Sequence, residues 1–131
     1  MKVLIPLTAW SLSFLLLTPA QATTPAEQLA AYSREVGAAA DPARGQQFFT
    51  QRHGAEWSCA SCHTARPVDE GQHASTGKRI APLAPAANPQ RFADAAKTEK
   101  WFRRNCKDVL GRSCTPAEKA DVLAWLLSVG R

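Results

Sequence analysis

Cys59-Ala60-Ser61-Cys62-His63 is the stretch on which the reading of this chain turns. Two cysteines two residues apart, followed at once by a histidine, form the C-x-x-C-H signature of covalent c-type haem attachment. The two thiols suit thioether bonds to the haem vinyl groups, and the adjacent imidazole suits the iron. Other readings of C-x-x-C are weaker. A thioredoxin-like redox pair expects a βαβ pattern, and the sequence shows none. Half a zinc site needs the other half, but Cys106 and Cys114 are eight apart and no His follows them.

Ahead of the string, Met1 to Ala22 reads as a secretory signal. Lys2 is the positive end, Val3 to Leu17 is largely apolar, and Ala20-Gln21-Ala22 supplies small residues for cleavage. The apolar run is shorter than the ~20 residues a membrane span needs. No later segment is apolar enough to span either. The expected organisation is a signal over 1–22 and one domain over 23–131, exported to the periplasm. The whole chain has 131 residues, 45% of them hydrophobic and 21% charged, which fits one small globular domain. That size excludes a multidomain enzyme, and that apolar fraction argues against a disordered chain. The net charge of +5 is mild. It suits an acidic protein partner and is too small and scattered to argue for nucleic acid.

All four cysteines follow the signal. With Cys59 and Cys62 given to haem, Cys106 and Cys114 are left to each other, in a compartment where free thiols seldom persist. Their disulfide would close a short loop, worth about 2.6 kcal/mol in the chain-entropy account. The only methionine is Met1, which leaves with the signal. Many c-type electron carriers use Met as the second axial ligand. Here the sixth iron position is either held by another residue or open.

Cap-then-proline signals mark helix starts at Thr24-Pro25, Asp41-Pro42, Asn88-Pro89 and Thr115-Pro116. Helices are expected near 25–36, 42–52, 89–96, 98–105 and 116–129. Val122, Leu123, Leu126 and Val129 form an apolar stripe on the last of these. Gly45, inside a helix at a cost of roughly 1 kcal/mol, points to a close crossing with that last helix near Trp125. Strand signals are weak. From Thr64 to Ala87 no period is visible, and prolines and glycines punctuate the run. A loop that long suits a domain in which a large apolar disc serves as core.

A Gly- and Phe-bearing helix, then C-x-x-C-H, then a loop, then an aromatic C-terminal helix: that order resembles a class I cytochrome c. Three further blocks extend it, namely Gly77-Lys78-Arg79-Ile80-Ala81-Pro82-Leu83-Ala84-Pro85, Asn88-Pro89-Gln90-Arg91-Phe92 and Trp101-Phe102-Arg103-Arg104-Asn105-Cys106. Together they resemble the SHP family of oxygen-binding cytochromes c, over Asp41 to Arg131. The resemblance implies an all-α fold of helices wrapped around one covalent haem, in the cytochrome c domain expected over 23–131, of which Thr23 to Ala40 lie outside the matched part. It implies that Cys59 and Cys62 hold the haem and that His63 is the proximal iron ligand. Asn105 is then the distal ligand in the oxidised state, leaving on reduction so that oxygen or another small diatomic molecule can bind. The Cys106–Cys114 disulfide sits beside that ligand, either as a structural staple or as a limit on how far the backbone follows it. Other cytochromes are the implied electron partners.

The chemistry of an Asn ligand is coherent. An amide oxygen is a hard, weak donor, which ferric iron tolerates better than ferrous iron does. Reduction then weakens the bond, and the freed amide can donate a hydrogen bond to an incoming ligand. The rival ligands are His53, His73 and lysines such as Lys78. From the residues alone a His is the commoner choice and would give a closed electron shuttle; the resemblance puts Asn105 ahead. A third reading is a small oxygen or peroxide reductase, but no distal acid–base residue stands at recognisable spacing. A backbone carbonyl between Pro82 and Pro85 is the expected acceptor for the other ring nitrogen of His63. Lys78, Arg79, Arg103 and Arg104 are candidates for pairing with the haem propionates.

Overall fold

The four longer helices begin where a side chain accepts from the free N–H groups of the first turn. The computed structural model describes residues 23–130; the expected signal over 1–22 and Arg131 lie outside the described residues. Helix α1 spans Pro25–Val36 behind a Thr24/Glu27 capping box and ends at Gly37, whose φ of 71° is the left-handed cap glycine adopts readily. Helix α2 spans Pro42–Thr50, with the Asp41 carboxylate accepting from the N–H groups of Ala43 and Arg44. A five-residue helix α3, Cys59–His63, carries the attachment string. Strands β1, Gly71–Gln72, and β2, Arg79–Ile80, pair antiparallel with Gly71 opposite Ile80. Helix α4 spans Ala95–Leu110 and helix α5 spans Pro116–Ser128.

Two of the expected helices are corrected. Residues 89–93 are turn and bend, not helix, and 98–105 is the middle of the longer α4. The Asn88-Pro89 signal is not used as a cap: the Asn88 amide donates instead to the Pro82 carbonyl, 3.1 Å away. Phe92 stands at φ 59°, which no helix accommodates. Its carbonyl accepts from Gln28 Nε2 at 2.6 Å, while the Ala93 carbonyl accepts from Thr23 N–H at 3.2 Å. The true start is Asp94, whose carboxylate accepts from Lys97 N–H. The long loop also holds the two-residue ribbon, too short for any alternation to be read in sequence.

The core forms where α5 meets α1 and α2. Phe49, Val122, Trp125 and Leu126 make one buried cluster, and Tyr32, Ala120 and Leu123 make another. Full burial of such side chains contributes roughly 1.5–3 kcal/mol each. Gly45 does mark the crossing of α2 and α5, one turn earlier than expected: a Cβ there would meet the Asp121 carbonyl oxygen at 1.9 Å. Buried Asp121 locks the same crossing. It accepts from Asp41 N–H at 2.6 Å and from two Arg44 nitrogens at 2.8 and 3.0 Å. Helix α4 lies against the others mainly through side chains. Phe102 meets Tyr32 edge-on at 6.1 Å, the Tyr32 hydroxyl donates to Glu99, and Lys119 Nζ donates to Glu99 at 2.7 Å. At its other end Cys106 is disulfide-bonded to Cys114, with Cα atoms 5.6 Å apart.

Candidate haem site

Cys59, Cys62 and His63 occupy one turn of α3, held by a hydrogen bond from Ser58 N–H to Ser61 Oγ at 3.0 Å. The chain then turns sharply. Thr64 takes φ 64°, a strained value for a β-branched residue, and its hydroxyl donates to the Arg66 carbonyl at 2.7 Å. The hairpin presses on the string from behind. A Cβ on Gly71 would meet the Cys62 carbonyl oxygen at 2.1 Å, so only glycine allows that approach. Ala74 N–H points at Cys62 Sγ, 3.3 Å away.

The electrostatics of the turn do not suit thiol redox chemistry. Burial pushes the Cys59 thiol up to about 11, so it is no ready thiolate nucleophile. Neither Cys59 nor Cys62 is in a disulfide. Burial, with the Arg91 charge nearby, pushes the His63 imidazole down to about 4. The ring is therefore neutral at pH 7 and keeps the lone pair that a metal requires. Its Nδ1 is buried with no partner among the described residues. The expected acceptor between Pro82 and Pro85 is not engaged with it: the Pro82 carbonyl already accepts from Asn88 and from Arg91 Nε, both at 3.1 Å. Phe49 stands beside the imidazole, ring centres 6.2 Å apart.

Asn105 lies on the inward side of α4. Thr98, Glu99, Phe102, Asn105, Cys106, Val109 and Leu110 are its non-exposed positions, at helical spacing, while Arg103, Arg104 and Lys107 are exposed. Phe48, Cys59, Leu83, Phe92 and Phe102 rest on the core only partly buried. These half-covered apolar groups, the orphaned His63 nitrogen and two unpaired thiols fit a covalently bound haem.

The rival ligands have other employment. His53 Nε2 bonds to the Phe48 carbonyl at 2.8 Å, and its ring lies against Phe48 at 4.4 Å. His73 Nδ1 accepts from Ser75 and Thr76 N–H in the hairpin turn, at 3.3 and 3.4 Å. Lys78, Arg103 and Arg104 are exposed, and Arg79 pairs with Glu70. Arg91 received no role from sequence. It was visible only as part of a block, and its donation to the Ala81 and Pro82 carbonyls depends on a tertiary turn.

Among curated proteins, the cytochrome c-type protein SHP of Cereibacter sphaeroides is 52% identical over 121 residues, covering 88% of this chain and 93% of that one. The chain belongs to the SHP family of c-type cytochromes. It carries covalently bound haem c within an all-α cytochrome fold. A family model described as a domain of unknown function, DUF1924, matches residues 35–126, so the likeness starts before Asp41. The structure of oxidized SHP, described as an oxygen-binding cytochrome c, superposes with a TM-score of 0.77 at 50% identity, covering 82% of this chain and 98% of that chain. A solution structure of Methylophilus methylotrophus cytochrome c'', described in terms of haem-ligand detachment, gives 0.72 at 36%, covering 82% and 94%. No described helix of this SHP-family chain is long and apolar enough to cross a membrane.

Proposed function

We propose that this cytochrome is exported to the periplasm, accepts one electron from another redox protein, and on reduction frees Asn105 so that oxygen or a similar diatomic molecule can bind. The observation that carries the reading is the placement of Asn105. It is half-buried on α4, directly before Cys106 of the Cys106–Cys114 disulfide, in a chain whose sole methionine is Met1. The description of the SHP relative as oxygen-binding supports the ligand class. The description of cytochrome c'' in terms of haem-ligand detachment supports a labile sixth position.

When bound, haem supplies an iron that changes oxidation state and accepts axial ligands. Cys59 and Cys62 would anchor the porphyrin through thioethers, and His63 would hold one face of the iron through its neutral imidazole. Asn105 would meet the other face through its side-chain carbonyl, a weak donor suited to the ferric state. Freed, its NH2 group can donate toward a small ligand. Phe92, Phe102 and Leu83, only partly buried on the core, would offer apolar surface to the porphyrin. With His53 and His73 bonded elsewhere in the fold, a bis-His shuttle has less support.

Absorption and electron-spin spectra of both oxidation states test the reading. The reduced protein is expected to be high-spin and to bind carbon monoxide and oxygen. A reduced form that stays six-coordinate and low-spin and ignores both gases overturns it.

A further inference from the structure

The outer face of α4 contributes nothing to the core. Lys97, Lys100, Arg103, Arg104 and Lys107 are all exposed, and at 3.6 residues per turn they share about a third of the helix circumference. Among the described residues none of the five is ion-paired, whereas Arg44, Arg66, Arg79, Arg112 and Lys119 each meet a carboxylate. Asp108 is the single acid exposed within α4. Like charges at i,i+3 and i,i+4 oppose helix formation, so the cluster works against its own helix. Trp101 lies at the edge of the stripe, 42% exposed, with the Arg104 guanidinium 5.6 Å from its ring. Trp and Arg are the side chains that most often anchor protein interfaces.

Two kinds of surface could answer this stripe, and the helix discriminates between them. A helix lying in a membrane surface needs an apolar face to bury there. The apolar side of α4, with Phe102, Cys106 and Val109, is committed inward, which leaves a lone Trp. A dense positive stripe around one aromatic instead complements an acidic protein surface of the small, transient kind typical of redox encounters.

We propose that the outer face of α4 docks an acidic redox protein, which delivers the electron beside the helix that bears Asn105. The proposal rests on the reading that the chain takes up an electron. The partner gives up one electron and is oxidised; the cytochrome gains it and passes from ferric to ferrous; no bond is made and no proton moves. Trp101 lies one turn before Asn105 and Arg104 directly precedes it, so the docked partner sits over the ligand-bearing segment.

Acidic iron–sulfur ferredoxin serves as the probe, with haem-loaded cytochrome. Stopped flow follows reduction by reduced ferredoxin, and calorimetry follows binding of oxidised ferredoxin, each at low and physiological salt. K100E/R103E is expected to lower the low-salt rate constant and the affinity about tenfold or more. R34E/R52E, an equal charge change on exposed residues off this face, is expected to lower them no more than about twofold. W101A weakens binding at both salt concentrations. Equal losses in the two double variants overturn the proposal, since total charge alone would then be acting. So does a rate indifferent to salt. So does loss of binding to phosphatidylglycerol vesicles in K100E/R103E with ferredoxin binding unchanged. Reduction by dithionite is the separate control: a wild-type protein that dithionite leaves ferric strikes the electron-uptake reading itself, and the docking proposal falls with it.

Discussion

Replacing Gly45 by Ala probes the packing that supports the haem-attachment turn. The new Cβ would lie 1.9 Å from the Asp121 carbonyl oxygen, 2.4 Å from its carbon and 2.9 Å from Val122 N. All three are backbone atoms in the middle of α5, so no side chain can rotate out of the way. A carbon and a carbonyl oxygen need about 3.3 Å, so the helices must part by more than about 1 Å. Ala gains roughly 1 kcal/mol over Gly in helix propensity. Overpacking typically costs 1–3 kcal/mol and occasionally more. Parting α2 from α5 also loosens the Phe49–Trp125 contact, now at 4.9 Å, and the Arg44–Asp121 bonds. We expect a net loss of about 2 kcal/mol, which lowers the melting temperature by roughly 10 °C for a domain this size. Thermal and urea unfolding of the haem-loaded protein measure it. Phe49 flanks His63, so the haem absorption bands should shift as well. An unchanged or raised melting temperature would refute the close crossing.

Other perturbations separate the remaining claims. Asn105→Ala is expected to change the oxidised spectrum and leave the reduced one nearly as it was, whereas Asn105→His should keep the reduced protein six-coordinate and block carbon monoxide; identical oxidised spectra in wild type and Asn105→Ala would remove Asn105 from the iron. Cys106→Ser with Cys114→Ser should cost about 2.6 kcal/mol in urea unfolding, and a change in carbon monoxide binding rate beyond that loss would assign the disulfide a part in the distal site. Glu118→Gln tests an acid-sensitive cap. Hydrogen bonding from Arg112, opposed by burial, holds the Glu118 carboxyl below its ordinary value, so its contribution is present above the unfolded value and fades as pH falls through the depressed one. The gap in unfolding midpoint between wild type and Glu118→Gln should accordingly be wide at pH 7 and close on acidification.

The parts of the fold legible in sequence are those written in local chemistry. Thr24, Asp41 and Thr115 announced their helices because a cap needs only neighbours within three residues. Gly45 was legible because glycine inside a helix demands a reason. Asn88-Pro89 misled by the same rule: its amide found a better partner in the distant turn at Pro82. The left-handed Phe92 and the Gln28 amide that holds its carbonyl are 64 residues apart, so no local pattern could foretell them. The attachment string was readable because its chemistry is contiguous. The neutral state of His63 was not, since it follows from burial and from Arg91, far along the chain.

Helix α4 is moored at two points: Glu99, gripped by Tyr32 and Lys119, and Cys106, stapled to Cys114. Asn105 sits inside that span, one residue short of the second mooring. If Asn105 releases the iron as proposed, its amide need only turn about its own side-chain bonds, since the helix backbone is held on both sides of it. Rotamer hops run far faster than helix displacements. An occupant arriving at this iron would then wait on the electron, and hardly at all on the door.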